Sequence, residues 1–567
     1  MDKKMMLKIT PLALLALTGS LVIPSSAAQG GPLGLPPFPA ENPLTEEKRI
    51  LGKLLFWEEQ LSSSNNVSCG TCHIPESGGA DPRTGRHPGP DGINGSPDDI
   101  LGSLGVRSSD ELNDFEPHDN FDFAAQVTAR VSQSNLLAAY DSELFWDGRA
   151  ATSFIDPENG EVVILVGGAL ESQAVEPILS TTEMAHEGRT WDDVREKLTL
   201  VRPMALATDL PRDMAAVISQ GEGYPELFQR AFGDSTITAR RIAFALATYQ
   251  RTLVPDQTPF DLFQQGQQDA MTNAQIQGMN TFNGAARCDL CHPAPVFSDG
   301  LFHNLGIRPH QEDVGRREVT GLFADRGKFK TPSLRNVGLR DRFFHNGLNG
   351  DVNNPPPIGG GPLGEVFSLY INGGGPFGAG NLDPLLLPIG NVGPGQLANV
   401  RDFIENALTD PRVEAAEFPF DRPRLYSERT VDGIEFYGSG EPGSGGEVPE
   451  ILVEVTPTAD NPDFRIGVTN ALAGAPAYLF IIPTTAPMAG PITSMGHVTA
   501  NPITGRVTAN PITLSVDGAG AGYGTWHGTR RPDPAMIGRV VDMQWWVVDP
   551  SSSSGIAKSR FARLTIF

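Results

Sequence analysis

The chain has 567 residues, a formal net charge of −24 and 39% hydrophobic residues. So acidic a surface argues against nucleic acid and suits solubility or a basic protein partner. The hydrophobic fraction is enough for several cores at about 100–200 residues per domain, whereas Gly 63 and Pro 48 predict long irregular connections.

Residues 1–28 begin with Lys3, Lys4 and Lys8, continue as an apolar run from about Ile9 to Ile23, and end in Ser26, Ala27 and Ala28. That pattern predicts a secretory signal peptide, and so an exported protein, periplasmic or extracellular. The run is shorter than the roughly 20 residues a membrane span needs, and no later segment is apolar enough. Residues 43–64 place Ile50, Leu51, Leu54, Leu55 and Leu61 at helical spacing, with Thr45 as the start signal. "NVSCGTCHIPESGGAD" follows at 66–81, then a Gly/Pro/Asp-rich loop over about 74–123. Helices are predicted at "TWDDVREKL" and "ITARRIAFALATYQRTL", the latter capped by Thr238 or Thr236. A further amphipathic helix carries Ile276, Met279 and Phe282 into "ARCDLCHPAPVF". One helical unit is thus used twice, with 219 residues between His73 and His292. "YGSGEPGSGGEVPE" reads as a linker. Short β-branched and aromatic runs beyond it predict an all-β sandwich, in which "VTANPIT" at 498 and 507 forms a hairpin pair. By composition that module is structural or adhesive.

The four cysteines form two C-x-x-C pairs, Cys69/Cys72 and Cys288/Cys291. Exported proteins form disulfides, C-x-x-C can be a redox dithiol, and four cysteines can hold zinc. None of these needs a histidine directly after each pair, yet His73 and His292 stand there among only 10 histidines. Covalent haem attachment does need it: each thiol adds across a vinyl group, and the adjacent imidazole ligates iron. Two c-type haems are therefore expected.

With those sites, "LFWDGRA" at 144–150, "ESQAVEPILSTTEM" at 171–184, "FHNLGI" at 302–307, "DVGRREVTG" at 313–321 and "FKTPSLRNVGLRDRFFHNG" at 329–347 make the chain resemble the bacterial diheme cytochrome c peroxidase/MauG family from about Asn42 to Arg429. The resemblance implies a mainly α fold of two cytochrome c-like helical domains. The expected layout is a signal peptide at 1–28, a peroxidatic-haem domain at 29–265, an electron-relay domain at 266–430, a linker at 431–449 and the β-sandwich at 450–567. By the same resemblance His73 is proximal to the reactive iron and His292 to the relay iron. Gln173 and Glu183 match the active-site pair, and Trp146 the tryptophan between the haems. A carboxylate above iron can move a proton from one peroxide oxygen to the other.

Tyr370 aligns with the sixth ligand of the relay iron, where peroxidases of the family carry Met and MauG carries Tyr. Two departures stand out. The family's labile distal histidine, about 16 residues after the proximal one, meets Gly89 here, with His87 nearby in an inserted loop. The interdomain calcium site, built on a Thr and a Pro in the family, reads "LRDRF" here, and Arg340 and Arg342 would repel Ca²⁺. The functional expectation is an exported diheme oxidoreductase. It would reduce hydrogen peroxide with electrons from a small redox protein, a cytochrome c or cupredoxin. The alternative is MauG-like oxidation of a protein or organic substrate through high-valent diheme iron. A non-enzymatic electron carrier is the third reading, against which Glu183 and Gln173 speak.

Overall fold

The structure, a computed structural model, describes residues 33–83, 85–347, 362–378, 380–429, 433–454, 463–484, 512–515, 522–528 and 538–566. The expected signal peptide and the "VTANPIT" pair lie outside these residues, apart from a short strand at Ile512–Thr513. Among the described residues no helix is long and apolar enough to cross a membrane.

Each Cys-x-x-Cys-His follows a helix, and each helix is made the same way. Glu46–Trp57 starts at Thr45, whose side chain accepts from Lys48 N, and Asn273–Asn283 starts at Thr272 in a capping box with Gln275. The first crosses Ala239–Gln250 at Gly52, where a Cβ would stand 1.9 Å from the Ala245 carbonyl oxygen. The second crosses Pro394–Asp402 at Gly278, where a Cβ would stand 2.0 Å from the Asn399 oxygen. Both crossings use the missing side chain to bring two backbones into contact. Each crossing anchors a separate core. Leu51, Leu54, Trp57, Leu246 and Tyr249 belong to the first, and Phe260, Phe282, Phe297 and Phe403 close the second as a cluster of edge-on rings 5.1–6.1 Å apart.

The duplication extends past the helices. Leu137 and Asn336 are left-handed residues (φ 68° and 59°) that each open a short 3₁₀ turn, Ala138–Tyr140 and Val337–Leu339. Phe145 and Phe344 (φ 66° and 61°) and Gly148 and Gly347 (φ 77° and 69°) follow at the same offset. Trp146 in one half therefore occupies the place of His345 in the other.

The expected loop at 74–123 is more ordered than its composition suggests. It contains the ladder Gly85–His87 with Ile100–Gly102, and Leu104–Arg107 pairs with Ala125–Val127 just beyond it. The stretch between Trp146 and Gln173 folds in part as a hairpin, Phe154–Ile155 against Val162–Ile164. The C-terminal region has two antiparallel sheets. One orders Glu450–Leu452, Arg465–Ala471 and Gly522–His527; the other is built on Pro476–Thr484, Val540–Val548 and Phe561–Thr565. Ile466 and Val468 of the first share a core with Leu479, Trp545 and Leu564 of the second. Ile434–Tyr437, in the stretch that reads as linker, is instead an edge strand on Phe561–Thr565. Gly and Ser around it disguised the strand.

Candidate functional site

Two cavities face each other across Trp146. The first is lined by Cys69, Cys72, His73, Gln173, Glu183 and Arg149, the second by Cys288, Cys291, His292, Tyr370, His345 and Arg340; Trp146 lines both. The Trp146 indole N–H donates to the Val131 carbonyl at 2.8 Å, and its own carbonyl accepts from Lys330 N at 2.8 Å. The loop is clamped from both halves. Arg130 donates to Asp147 at 2.5 Å and twice to Asp313 at 2.7 Å, while Arg316 donates to the Asp147 carbonyl at 2.9 Å and to Glu143 at 2.7 Å.

In the first cavity Cys69 and Cys72 end one helical turn, capped by Ser68, and His73 follows at its C-terminus. His73 Nδ1 lies 2.9 Å from the Gly79 carbonyl, and His292 Nδ1 lies 2.9 Å from the Phe297 carbonyl. A carbonyl only accepts, so Nδ1 carries the proton in both rings and Nε2 keeps its lone pair for a metal. Burial pushes the Cys69 and Cys288 thiols up to about 12. A redox dithiol needs a lowered thiol pKa, so the environment opposes that use.

Gln173 sits on the helix Ala169–Leu179, which is pinned by the wholly buried Glu171. That carboxylate accepts from Arg251 at 2.6 and 2.9 Å and from Asn42 at 2.9 Å. Glu183 lies in the following turn, its N–H bonded to the Ser180 carbonyl at 3.1 Å. Burial raises its carboxyl above the usual carboxylate range, and the Arg149 guanidinium opposes that rise. The sequence brought Gln173 and Glu183 forward and noted His87 near the distal position; the structure adds Arg149 and brings His87 to this cavity from its strand, with Nδ1 accepting from Gly89 N at 3.1 Å.

The second cavity holds Tyr370, on the helix Pro362–Ile371. Burial raises its phenol, so a phenolate forms there only against a cationic centre. Arg340 is buried on this wall, and its Nε has no hydrogen-bond partner among the described residues. Burial alone drops its guanidinium to about 10. A buried guanidinium with an unpaired N–H calls for an acceptor, best an anion, and a haem propionate supplies one. Together with the paired thiols and the fixed imidazoles, it makes both cavities fit a covalent haem. His345 was missed from sequence. Its ring stacks on Phe329 at 3.6 Å, 6.5 Å from the Trp146 ring, and burial holds it down to about 4. The signal was available as the repeat of "LFWDG" in "FFHNG".

Comparison with known proteins agrees with this geometry. Residues 46–269 match the family model for di-haem cytochrome c peroxidase. The methylamine utilization protein MauG of Methylophilus methylotrophus is 31% identical over 55% of this chain and 71% of its own length. MauG of Methylorubrum extorquens is 31% identical over 60% and 72%, and the cytochrome c551 peroxidase of Nitrosomonas europaea is 27% identical over 59% and 79%. The chain belongs to the diheme cytochrome c peroxidase/MauG family, and it is an oxidoreductase whose family uses haem c.

Proposed function

We propose that the protein is an exported peroxidase-like enzyme that reduces hydrogen peroxide in the first cavity with electrons drawn through the second. The observation that carries the reading is the common wall: Glu183 and Gln173 line one cavity with Cys69, Cys72 and His73, and Trp146 borders both cavities. Haem bound at Cys69/Cys72 and Cys288/Cys291, with His73 and His292 as iron ligands, would supply the iron at which the O–O bond breaks and the store of electrons that drives it. The Glu183 carboxylate takes the proton from one peroxide oxygen and returns it to the other, which leaves as water. The Gln173 carboxamide, able to donate and accept at once, orients the peroxide. The Arg149 guanidinium opposes the rise that burial imposes on the Glu183 carboxyl and so favours its ionised form, the form a base needs. The Trp146 indole offers a π-path between the cavities. Electrons would come from a cytochrome c or cupredoxin, whose basic face suits a chain of net charge −24. The buried Arg340 guanidinium beside the second cavity is a poor calcium neighbour, and no calcium is proposed for this chain.

Tyr370 favours a second reading, MauG-like oxidation of a protein or organic substrate, because an anionic oxygen ligand stabilises oxidised iron where a thioether does not.

Replacing Glu183 by Gln keeps shape and hydrogen bonding but removes the transferable proton. Reaction of the ferric protein with peroxide, followed by stopped-flow, should slow by roughly 10²–10⁴-fold with both haem spectra preserved. An unchanged rate would return Glu183 to an ordinary turn residue.

A further inference from the structure

The β-sheet region is attached to the haem region by buried charge. Arg465 is 3% exposed and lies 3.9 Å over the Phe115 ring. Its guanidinium donates to Ser109 Oγ at 2.8 Å, to Asn113 Oδ1 at 2.6 Å and to Glu454 at 2.8 Å. Two residues earlier, Asp463 pairs with buried Lys197 at 2.7 Å, and Lys197 also donates to the Ser62 carbonyl at 2.5 Å. Neither charge ends at the interface. Ser109 O accepts from Glu187 N at 3.0 Å, and Asn113 Nδ2 donates to Ser63 O at 3.4 Å. Ser63 in turn donates its N–H to Met184 O at 2.8 Å, and its Oγ accepts from His186 N at 2.9 Å. On the other side Val106 N donates to Thr182 O at 3.2 Å. The turn carrying Glu183 is therefore bonded at Thr182, Met184, His186 and Glu187, and the strut behind the last three is fastened by Arg465 and Asp463.

We propose that Arg465 and Asp463 are positioning residues for the peroxide site, and that the β-sheet region is a clamp which holds the Glu183 turn at working distance. The inference rests on the reading of Glu183 as the proton-transfer group. It follows from two physical facts. A buried charge that loses its partner is costly, so the interface strongly prefers one arrangement. And proton transfer depends steeply on placement, since a shift of about 1 Å costs up to ~100-fold. A module that merely adhered to other surfaces would not need a buried guanidinium bonded to Ser109 and Asn113 and an ion pair to the buried Lys197, both leading to this strut.

The test uses the full-length haem-loaded protein. Arg465→Met should raise hydrogen–deuterium exchange at the His186 and Glu187 amides about 10-fold, as expected when a charged hydrogen-bond anchor is lost. It should also slow the peroxide reaction by about 10- to 100-fold, with haem content and the potential of the second haem unchanged. Asp463→Asn, which leaves Arg465 in place, should move both readings in the same direction and serves if Arg465→Met does not fold. Arg563→Met is the control: it breaks a pair with Asp542 at 2.8 Å on the other sheet, and should alter neither reading. Wild-type exchange and rate in the Arg465 and Asp463 variants would overturn the clamp, as would equal changes in Arg563→Met. Were Glu183→Gln to leave the peroxide rate unaltered, the proton-transfer reading would fall, and the exchange data would still decide whether the strut exists.

Discussion

Glu183, Tyr370 and Arg340 are buried groups whose environments push them away from their charged forms, and each is explained by what it would face. Glu183 has a raised pKa set mainly by burial. As a base it works only when ionised, so the peroxide rate should fall with decreasing pH through a value above the ordinary ~4.3 of glutamate. Glu183→Gln should remove that limb from the pH profile, and a profile that stays intact would assign the limb to another group. Tyr370 carries the sharper choice. A phenolate on the second iron stabilises the ferric state, so that haem should have a potential well below that of a His/Met haem. Tyr370→Met should raise the potential, measured by spectroelectrochemistry, and make reaction with peroxide depend on prior reduction. A wild-type protein that already needs reduction before it reacts would exclude the phenolate. These residues were legible through motifs. His87 and Arg149 were not assigned, because reaching a cavity from an inserted strand or from beside a tryptophan leaves no spacing signature.

At the level of elements, the helices before the two cysteine pairs could be read from periodicity, and the first starts where Thr45 predicts, whereas the Thr272 cap of the second emerged only from the structure. The sequence concealed what lies between them. Short ladders such as Gly85–His87 with Ile100–Gly102 are three residues long and rich in Gly, below what alternation can reveal. The same holds for Ile434–Tyr437, whose strand character depends on a partner more than 120 residues away in sequence. The glycine crossings could not be foreseen, because a lone Gly in a helical pattern reads only as a weak position. They carry a clear prediction. Gly52→Ala puts a Cβ where only 1.9 Å separates it from the Ala245 carbonyl oxygen, with backbone rather than a mobile side chain in the way. The helix pair must part, at a cost of about 1–3 kcal/mol or more. Thermal unfolding should show a clear loss of stability, and an unshifted midpoint would mean that the crossing is looser than described.

For the molecule as a whole, duplication has placed two equivalent turns back to back, and the two copies have diverged at three of the five positions of "LFWDG" and "FFHNG", Trp146 among them. Trp146 and His345 hold the same place in their halves, yet only Trp146 borders both cavities. Its setting is stiff: the indole N–H is bonded, the loop is clamped by Arg130 and Arg316, and the ring is 5% exposed. On the proposed reading charge must cross between the two cavities, and an oxidisable indole on their shared wall is suited to that transfer. Trp146→Phe keeps an apolar ring of similar breadth but removes the indole and its bond to Val131. Covalent attachment at both Cys-x-x-Cys-His sites should survive, as should the first reaction of the ferric protein with peroxide, because neither uses the indole. What should slow is oxidation of the pre-reduced second haem after peroxide is mixed in, read at that haem's own absorbance by stopped-flow. Equal rates in the variant and the wild type would show that electrons take another route, with His345 and Phe329 the next groups to replace.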